Sequence, residues 1–437
     1  MNCFPVLARV AVASRALACD LARGLIRVIF LGLLIGCAAA AAQPKGSATT
    51  KKSVYDIEYR VRPLPAVGEA QVELRLRQKG GLLREVNMRA PVDWISQVSG
   101  DGQLTLSDQR VLWRPPQDGG VLRWTANIIN ERSGNGFDSF MDLDWALFRA
   151  DDIIPSATTR TLKGARSATT LSFDLPNGWS SVTQYFGTND RYAIRNRERR
   201  FDRPTGWVVL GRIGVRNEEI AGVRVKIAGP VGHDIRRMDM IALLRWTLPE
   251  VARVFPGFPA RVTVVSAGDP MWRGGLSAPA SLFLHAGRPM ISENGTSTLL
   301  HELVHIGFGK KAAAGADWIV EGLAELYSLE ALKRSGTISH PRFLTALEKL
   351  EQRGKNAGDL CGASSSGATT AQAVTVLHEL DLELRQNGAS GASLDDVVQQ
   401  LSDEAGKVSV ASLRRAAEKA LGGPSRVLDA ELTGNCG

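Results

Sequence analysis

Residues 301–305 read H-E-L-V-H, which places two histidines four residues apart. Side chains with this spacing lie on one face of an α-helix, so the imidazoles of His301 and His305 can bind one metal ion. Zn²⁺ accepts such ligands, and a catalytic zinc uses three protein groups and a water. Glu302 is then placed to remove a proton from that water. The chemistry that this motif could perform is hydrolysis by a metal-activated water.

The motif requires a helix to position it. Leucine, valine and isoleucine recur through residues 299–306 at a spacing that predicts a largely buried helix. Asn294 and Thr296 are candidate N-caps, and Gly307 and Gly309 are candidate terminators. Because unpaired buried polar groups are unfavourable, two histidines and a glutamate in such a helix need a partner, and a metal ion provides one.

A third ligand must come from another element. The pattern of residues 317–334 predicts a second helix, with Asp317 as its N-cap and Ser335 and Gly336 at its end. Glu321 and Glu325 lie four residues apart on a helix that is otherwise mostly apolar. We predict that Glu321 is the third ligand and that Glu325 orients a ligand histidine. The reverse assignment and a solvated acidic face are the alternatives.

Residues 318–327 read W-I-V-E-G-L-A-E-L-Y. Together with H-E-L-V-H, this run resembles the gluzincin metallopeptidases, whose third ligand is a glutamate on the next long helix. The ending that follows is similar to that of the glycyl aminopeptidase family within that clan, and it consists of Leu329, Leu332, Arg334, Gly336, Ile338 and Ser339. The resemblance implies a thermolysin-like catalytic domain, a Zn²⁺ cofactor and a peptide or protein substrate.

Three features depart from the family pattern. The 309–315 loop between the two helices is shorter than is usual in the family. Residues 274–277 read G-G-L-S, so Ser277 stands where aminopeptidases of the clan carry a glutamate for the substrate amine. No tyrosine follows Tyr327, although the family uses a downstream tyrosine to stabilise the tetrahedral intermediate. Thr370 lies near the expected position, and His340 and His378 are further candidate donors.

Residues 280–285 predict a strand directly before the zinc helix. In thermolysin-like folds an edge strand at this place pairs with the substrate backbone. By this resemblance, Ser281, Phe283 and His285 should line the substrate cleft.

The N-terminus predicts export. Residues 28–36 form an apolar run that follows Arg23 and Arg27 and is too short to span a bilayer. Residues 34–37 read L-I-G-C and resemble a lipobox, which would leave a lipidated Cys37 as a membrane attachment. The alanines at 40–42 offer an ordinary cleavage site instead. Either way of processing the signal peptide predicts an extracytoplasmic protein of the periplasm or cell envelope.

Composition is that of an ordinary globular protein, and the net charge of +8 is dispersed, so we expect no nucleic-acid partner. Removal of the leader leaves Cys361 and Cys436, apart from a lipidated Cys37. Two cysteines in an oxidising compartment favour one disulfide between them, and two free thiols are the alternative.

The predicted fold class is α+β. After a signal peptide at 1–42, short alternating runs predict a β-sandwich-like domain at 50–228. A thermolysin-like catalytic domain at 229–340 and a C-terminal helical domain at 341–437 follow. The sequence thus predicts a zinc metallopeptidase, with exopeptidase and endopeptidase action both open. The alternative is a non-catalytic envelope protein that contains zinc and binds partners through its β-domain.

Overall fold

The computed structural model describes residues 53–432 except 133, 135, 196–200, 363 and 390. The predicted signal peptide, its two candidate cleavage sites and Cys436 lie outside the described residues. The Cys361–Cys436 disulfide and the lipidation of Cys37 therefore remain predictions.

The first half of the described chain is built from strands, and the second half is mostly helical. The strands are Val54–Leu64 (β1), Glu69–Arg77 (β2), Leu83–Arg89 (β3), Ile95–Gly100 (β4), Gln103–Ser107 (β5), Arg110–Arg114 (β6), Gly119–Asn127 (β7), Asn130–Glu131 (β8), Phe137–Met141 (β9), Trp145–Arg149 (β10), Ala157–Thr161 (β11), Arg166–Phe173 (β12), Ser180–Thr183 (β13), Phe186–Thr188 (β14), Arg191–Ile194 (β15), Trp207–Gly211 (β16), Ile213–Ile220 (β17), Val223–Pro230 (β18), Arg261–Ala267 (β19), Gly275–Ala278 (β20) and Ser281–His285 (β21). The helices are Ala150–Ile153 (α1), Arg237–Val254 (α2), Thr298–Phe308 (α3), Asp317–Arg334 (α4), His340–Gly354 (α5), Ala368–Asn387 (α6), Leu394–Asp403 (α7), Val410–Leu421 (α8) and Arg426–Glu431 (α9).

The N-terminal strands form three sheets with the orders β14-β15-β12-β1-β2-β7-β4, β13-β16-β10-β9-β8 and β11-β3-β6-β5. Alternation of apolar and polar residues determines which face of a strand is buried. In β1, for example, Tyr55, Ile57, Tyr59 and Val61 are buried in one hydrophobic core. This part of the chain therefore folds as the predicted pattern of short strands requires.

The last sheet has the order β17-β18-β19-β21-β20 and carries the helices. Strands β18, β19 and β21 run parallel, and all five residues of β21 are buried. Parallel strands covered on both faces have this continuous burial. One face packs on α2, α3 and α4, and the opposite face packs on β10 and β16.

The core beneath α2, α3 and α4 continues into the C-terminal helices. It includes Phe343, Leu377, Leu401 and Leu413, which belong to α5, α6, α7 and α8. The prediction of a mixed α+β fold, with sheets first and helices last, is confirmed. The boundaries at 228 and 340, the sandwich-like class of the first domain and the thermolysin-like class of the second remain predictions.

The predicted N-caps of two helices need correction. The N-cap of α3 is Ser297 rather than Asn294 or Thr296. Asp317 is the first residue of α4, after Ala316 as N-cap, and its side chain accepts a hydrogen bond from Ser365 N instead. Gly309 after α3 and Gly336 after α4 have positive φ angles and act as terminators, whereas Gly307, the other predicted terminator, lies inside α3.

Candidate metal centre

Helices α3 and α4 bring two histidines and two glutamates together. His301 and His305 lie one turn apart on α3, and Glu321 and Glu325 lie one turn apart on α4. Each pair lies on one face of its helix, since residues four apart stack. The two helices pack against each other, so the four side chains meet between them. Their side chains are 15–29% exposed, which leaves the cluster open to solvent on one side.

Three side chains with ligand-type atoms converge in this cluster. His301 Nε2 lies 3.1 Å from His305 Nε2 and 3.3 Å from Glu321 Oε2, and His305 Nε2 lies 3.4 Å from Glu321 Oε1. Two ligand atoms on one tetrahedral zinc, each about 2.0–2.2 Å from it, are about 3.3–3.6 Å apart. The spacing of the three side chains therefore fits a zinc ion. Among the residues that the structure describes, no other trio of His, Cys, Asp or Glu side chains is arranged in this way.

Glu325 contacts the other nitrogen of His301. Its Oε2 lies 2.9 Å from His301 Nδ1, so that when Nδ1 donates to this carboxylate, Nε2 is the nitrogen left to bind a metal ion. Such a contact fixes both the tautomer and the orientation of a ligand histidine. Since Glu325 faces Nδ1 whereas Glu321 faces both Nε2 atoms, the two glutamates occupy different positions.

The electrostatics of the cluster favour positive charge. Burial disfavours the charged form of His301, but Glu321 and Glu325 outweigh this effect and raise the pKa of His301 to about 10. Burial acts on Glu321 as well, yet the two histidines hold the pKa of its carboxyl well below its usual range. A site that retains a proton so strongly is one in which a cation is stabilised.

Glu302 lies beside the cluster on α3, and its carboxylate is one of the charges that raise the pKa of His301. The side chain is buried. It packs against Gly275 of β20, where a Cβ atom would approach Glu302 Cγ to 3.0 Å. The predicted general base is therefore adjacent to the three convergent side chains, under the strand β20.

The prediction that β21 is the edge strand is wrong. β21 lies between β19 and β20, and β20 forms the edge. Ser281 Oγ accepts a hydrogen bond from Trp207 N, and the Phe283 ring packs against the Trp207 ring. His285 Nδ1 accepts a hydrogen bond from Gly287 N. These three side chains are buried, and Phe283 packs in the core between this sheet and strands β10 and β16, on the face opposite to α3.

The backbone of β20 has one open side. His285 N donates to Gly274 O, and Leu276 is the register partner of Phe283 two residues further on, which is the alternate spacing at which an antiparallel ladder places its hydrogen bonds. Gly275 and Ser277 alternate with these pairs, so their N–H and C=O groups point away from β21. Sequence reasoning missed this strand, although the Gly274-Gly275 pair and the turn at 279–280 were its signals.

The side chains that could donate a hydrogen bond to the oxyanion contact residues outside the metal cluster. His340 stacks on Phe343, and His378 meets the edge of the same ring. Thr370 Oγ1 lies 3.1 Å from Ser365 Oγ. Tyr327, the last tyrosine of the chain, is buried and donates to Asp395 Oδ1 at 2.8 Å. Among the described residues, no hydrogen bond connects any of these four side chains to His301, His305 or Glu321.

The short loop between α3 and α4 is held by the C-terminal region. Ala313 N donates to Val408 O, and Val408 N donates to Lys311 O. Lys310 Nζ donates to Glu404 O as well. These contacts hold the loop that joins the two helices of the cluster.

Comparison with solved structures shows which fold this is. An aminopeptidase N family protein from Idiomarina loihiensis superposes with a TM-score of 0.62 at 15% sequence identity, over 80% of this chain and 70% of that one. Legionella pneumophila aminopeptidase A, solved in complex with aspartic acid, gives a TM-score of 0.53 at 11% identity, over 87% of this chain and 49% of that one. This chain therefore has a fold similar to these aminopeptidases, and it spans about half the length of the second.

Neither a protein-family model nor a curated protein sequence matches this chain. The similarity to aminopeptidases is thus one of fold, and the narrower likeness to the glycyl aminopeptidase family remains a prediction. No helix in the described part of the chain is long and apolar enough to cross a membrane.

Proposed function

We propose that this protein is a zinc-dependent peptidase of the gluzincin type, with His301, His305 and Glu321 as the metal ligands. The observation that carries the proposal is the convergence of these three side chains at 3.1–3.4 Å with Glu302 beside them. The aminopeptidase-like fold supports it. We assign the region of β17–β21, α3 and α4 to a thermolysin-like catalytic domain.

The roles of the side chains follow from their positions. A zinc ion, when bound, supplies a Lewis acid that acidifies water and polarises the scissile carbonyl. Glu302 takes the proton of the attacking water and later donates it to the leaving amine. Glu325 keeps Nδ1 of His301 protonated, so that Nε2 is the ligand atom. The different positions of Glu321 and Glu325 support this assignment over the reverse one.

We infer that the substrate backbone pairs with β20. The outward N–H and C=O groups of Gly275 and Ser277 offer the hydrogen bonds of one more antiparallel strand. Gly275 packs on Glu302, so a peptide on this edge would lie beside the general base. Ser277 provides a neutral hydroxyl where the resemblance expects a carboxylate, so an amine-binding charge is missing from this position.

The experiment that tests the proposal is Glu302→Gln, which removes the base and keeps the size of the side chain. We expect full zinc content and loss of peptide cleavage by a factor on the order of 100 to 10,000. Glu293→Gln, at an exposed position just before α3, is the matched control and should cleave as the wild type does. Undiminished cleavage by Glu302→Gln would exclude Glu302 as the base.

Free and N-acetylated versions of one peptide library distinguish exopeptidase from endopeptidase action. Cleavage of only the free peptides indicates an aminopeptidase, and equal cleavage of both indicates an endopeptidase. Mass spectrometry of the products identifies the bond that is cut.

The second candidate is a non-catalytic envelope protein with a zinc-stabilised fold. Two observations favour it. Tyr327 donates its hydroxyl to Asp395, and position 277 is a serine, so the cluster lacks the tyrosine and the glutamate that the resemblance implies. A digest of the library with and without a chelator separates the two candidates. Absence of chelator-sensitive cleavage would favour the non-catalytic protein.

We also propose that the mature protein acts outside the cytoplasm. Its leader pattern at 1–42 supports this location. Cell fractionation tests it, and the mass of the mature N-terminus distinguishes a lipidated Cys37 from cleavage after 40–42.

A further inference from the structure

A recess lies on the face of the β17–β21 sheet that is opposite to α3. In β18 and β19, Val225, Val262 and Val264 point into the core beneath the helices. Residues that alternate with them, including Lys226 and Thr263, point to the other face. There they border a cavity of about 370 Å³ between this sheet and the segment 184–186. The cavity is thus separated from the metal centre by the thickness of the sheet.

Three cations border this recess, namely Arg224, Lys226 and Arg261. Arg224 and Arg261 are register partners on neighbouring parallel strands, so their side chains start side by side. Among the described residues, no carboxylate lies within 4.0 Å of any of the three cationic groups. Such a cluster of like charges without counter-charge is unfavourable in the free protein.

The two carboxylates at the rim do not neutralise the cluster. Glu218 is 2.7 Å from Arg245 and 3.6 Å from Arg216, so it is engaged by other cations. Glu219 is the cross-strand partner of Arg224 but forms no ion pair with a described residue. The recess therefore keeps an excess of positive charge.

An aromatic ring completes the recess. Phe186 is 60% exposed, and its ring lies 4.3 Å from the guanidinium carbon of Arg261 and 5.3 Å from that of Arg224. Contacts of this kind orient guanidinium groups without neutralising them. Both arginines can therefore still donate hydrogen bonds to a ligand.

The titration behaviour of the cluster agrees with its geometry. Burial, and secondarily Arg261, lowers the pKa of Lys226. Burial, and then the charges of Arg224 and Arg195, lowers the pKa of Arg261. The charged forms of Lys226 and Arg261 are thus disfavoured in the folded protein, and a bound anion would stabilise them.

We propose that this recess binds a small multivalent anion that carries carboxylate or phosphate groups. Arginine forks match both groups in geometry, and the volume admits an ion the size of citrate or pyrophosphate. Anion binding stabilises the folded state, because the ligand binds the native cluster and not the unfolded chain. The site is independent of the proposed peptidase chemistry, since it lies across the sheet from α3.

Thermal unfolding and calorimetric titration of the full chain with pyrophosphate or citrate test this inference. Sodium chloride at equal ionic strength is the control for screening. We expect a concentration-dependent rise of Tm with at least one of the two anions beyond that with chloride. A response to pyrophosphate alone indicates a phosphate ligand, and a response to citrate alone indicates a carboxylate ligand.

The double variant Lys226→Met with Arg261→Gln should weaken the anion affinity about tenfold or more, because each lost charge removes a charge-assisted hydrogen bond. It should fold at least as well as the wild type at low salt, since like-charge repulsion is removed. Lys163→Met with Arg84→Gln removes two exposed cations elsewhere and should leave the affinity unchanged. Equal affinity in the first double variant and the wild type, or no response to either anion, would overturn the proposal.

Discussion

Gly275 lies directly against the side chain of Glu302. A Cβ atom at position 275 would be 3.0 Å from Glu302 Cγ, 3.3 Å from Glu302 Oε1 and 2.7 Å from Thr298 Cγ2. Side chains do not pack at such distances without displacement. The edge strand β20 therefore approaches α3 as closely as a glycine permits, and this approach fixes where the Glu302 carboxylate lies.

Replacement of this glycine should disturb catalysis more than metal binding. In Gly275→Ala the new methyl group must push the Glu302 side chain or β20 aside. Displacement of a reacting group by about 1 Å can slow a reaction 10- to 100-fold. We expect a loss of kcat in that range with unchanged zinc content, measured by peptide hydrolysis and elemental analysis.

Gly257→Ala is the control for that substitution. Its Cβ atom would meet nothing within 4 Å, and its φ angle is not among the positive ones. This variant should keep wild-type activity. Full activity in Gly275→Ala would mean that Glu302 and β20 can separate without consequence for the reaction.

The parts of the site that depend on local spacing could be predicted from the sequence. The i, i+4 pattern placed His301 and His305 on one helix and Glu321 and Glu325 on another, and α4 has the predicted bounds. Glycines after each helix marked the two ends correctly. The position, the shared face and the end of a helix depend on residues within a turn or two of one another, so periodicity and capping preferences predict them.

Strand order could not be obtained in this way. The residues around Ser281, Phe283 and His285 have the composition of a strand. Whether that strand lies at the edge of its sheet depends on its pairing with β19 and β20. That pairing is set by contacts between distant residues, which an apolar run does not encode. In the structure, Leu282 and Leu284 pack in the core under the helices and Phe283 packs against the core that includes β10 and β16, so both faces of β21 are buried.

Glu325 should affect zinc affinity rather than the coordination itself. Its Oε2 is 2.9 Å from His301 Nδ1, and loss of such a partner costs about 10- to 100-fold in metal affinity. We expect that loss in Glu325→Ala, measured by competition with a chromophoric chelator. Glu325→Gln retains a carbonyl acceptor for the Nδ1 proton and should lose less.

Glu321→Ala provides the comparison, because it removes a proposed ligand. Its zinc affinity should fall further than that of Glu325→Ala. The opposite ranking of the two alanine variants would assign the ligand role to Glu325.

Tyr327 should contribute to stability and not to catalysis. Its hydroxyl donates to Asp395, whose two oxygens also accept from Arg334 at 2.9 and 3.0 Å. Tyr327→Phe removes one hydrogen bond to a charged group, so the free energy of unfolding should fall by about 1.5–3 kcal/mol. Chemical denaturation measures this change. A large drop in kcat of the folded variant would instead place the tyrosine in the reaction.

Glu383 should make the stability of the C-terminal helices depend on pH. It accepts hydrogen bonds from Ser425 Oγ at 2.6 Å and from Arg426 N at 2.8 Å at the start of α9. Burial raises its pKa, but these donors outweigh burial and lower it. A lowered pKa in the folded state means that the stabilisation is present above the unfolded pKa of about 4.3 and is lost as pH falls through the folded pKa. Wild-type Tm should therefore fall more steeply below about pH 4 than that of Glu383→Gln, whose amide does not titrate. Glu348→Gln, at an exposed position of α5, should follow the wild-type profile, whereas parallel profiles for wild type and Glu383→Gln would contradict the assignment.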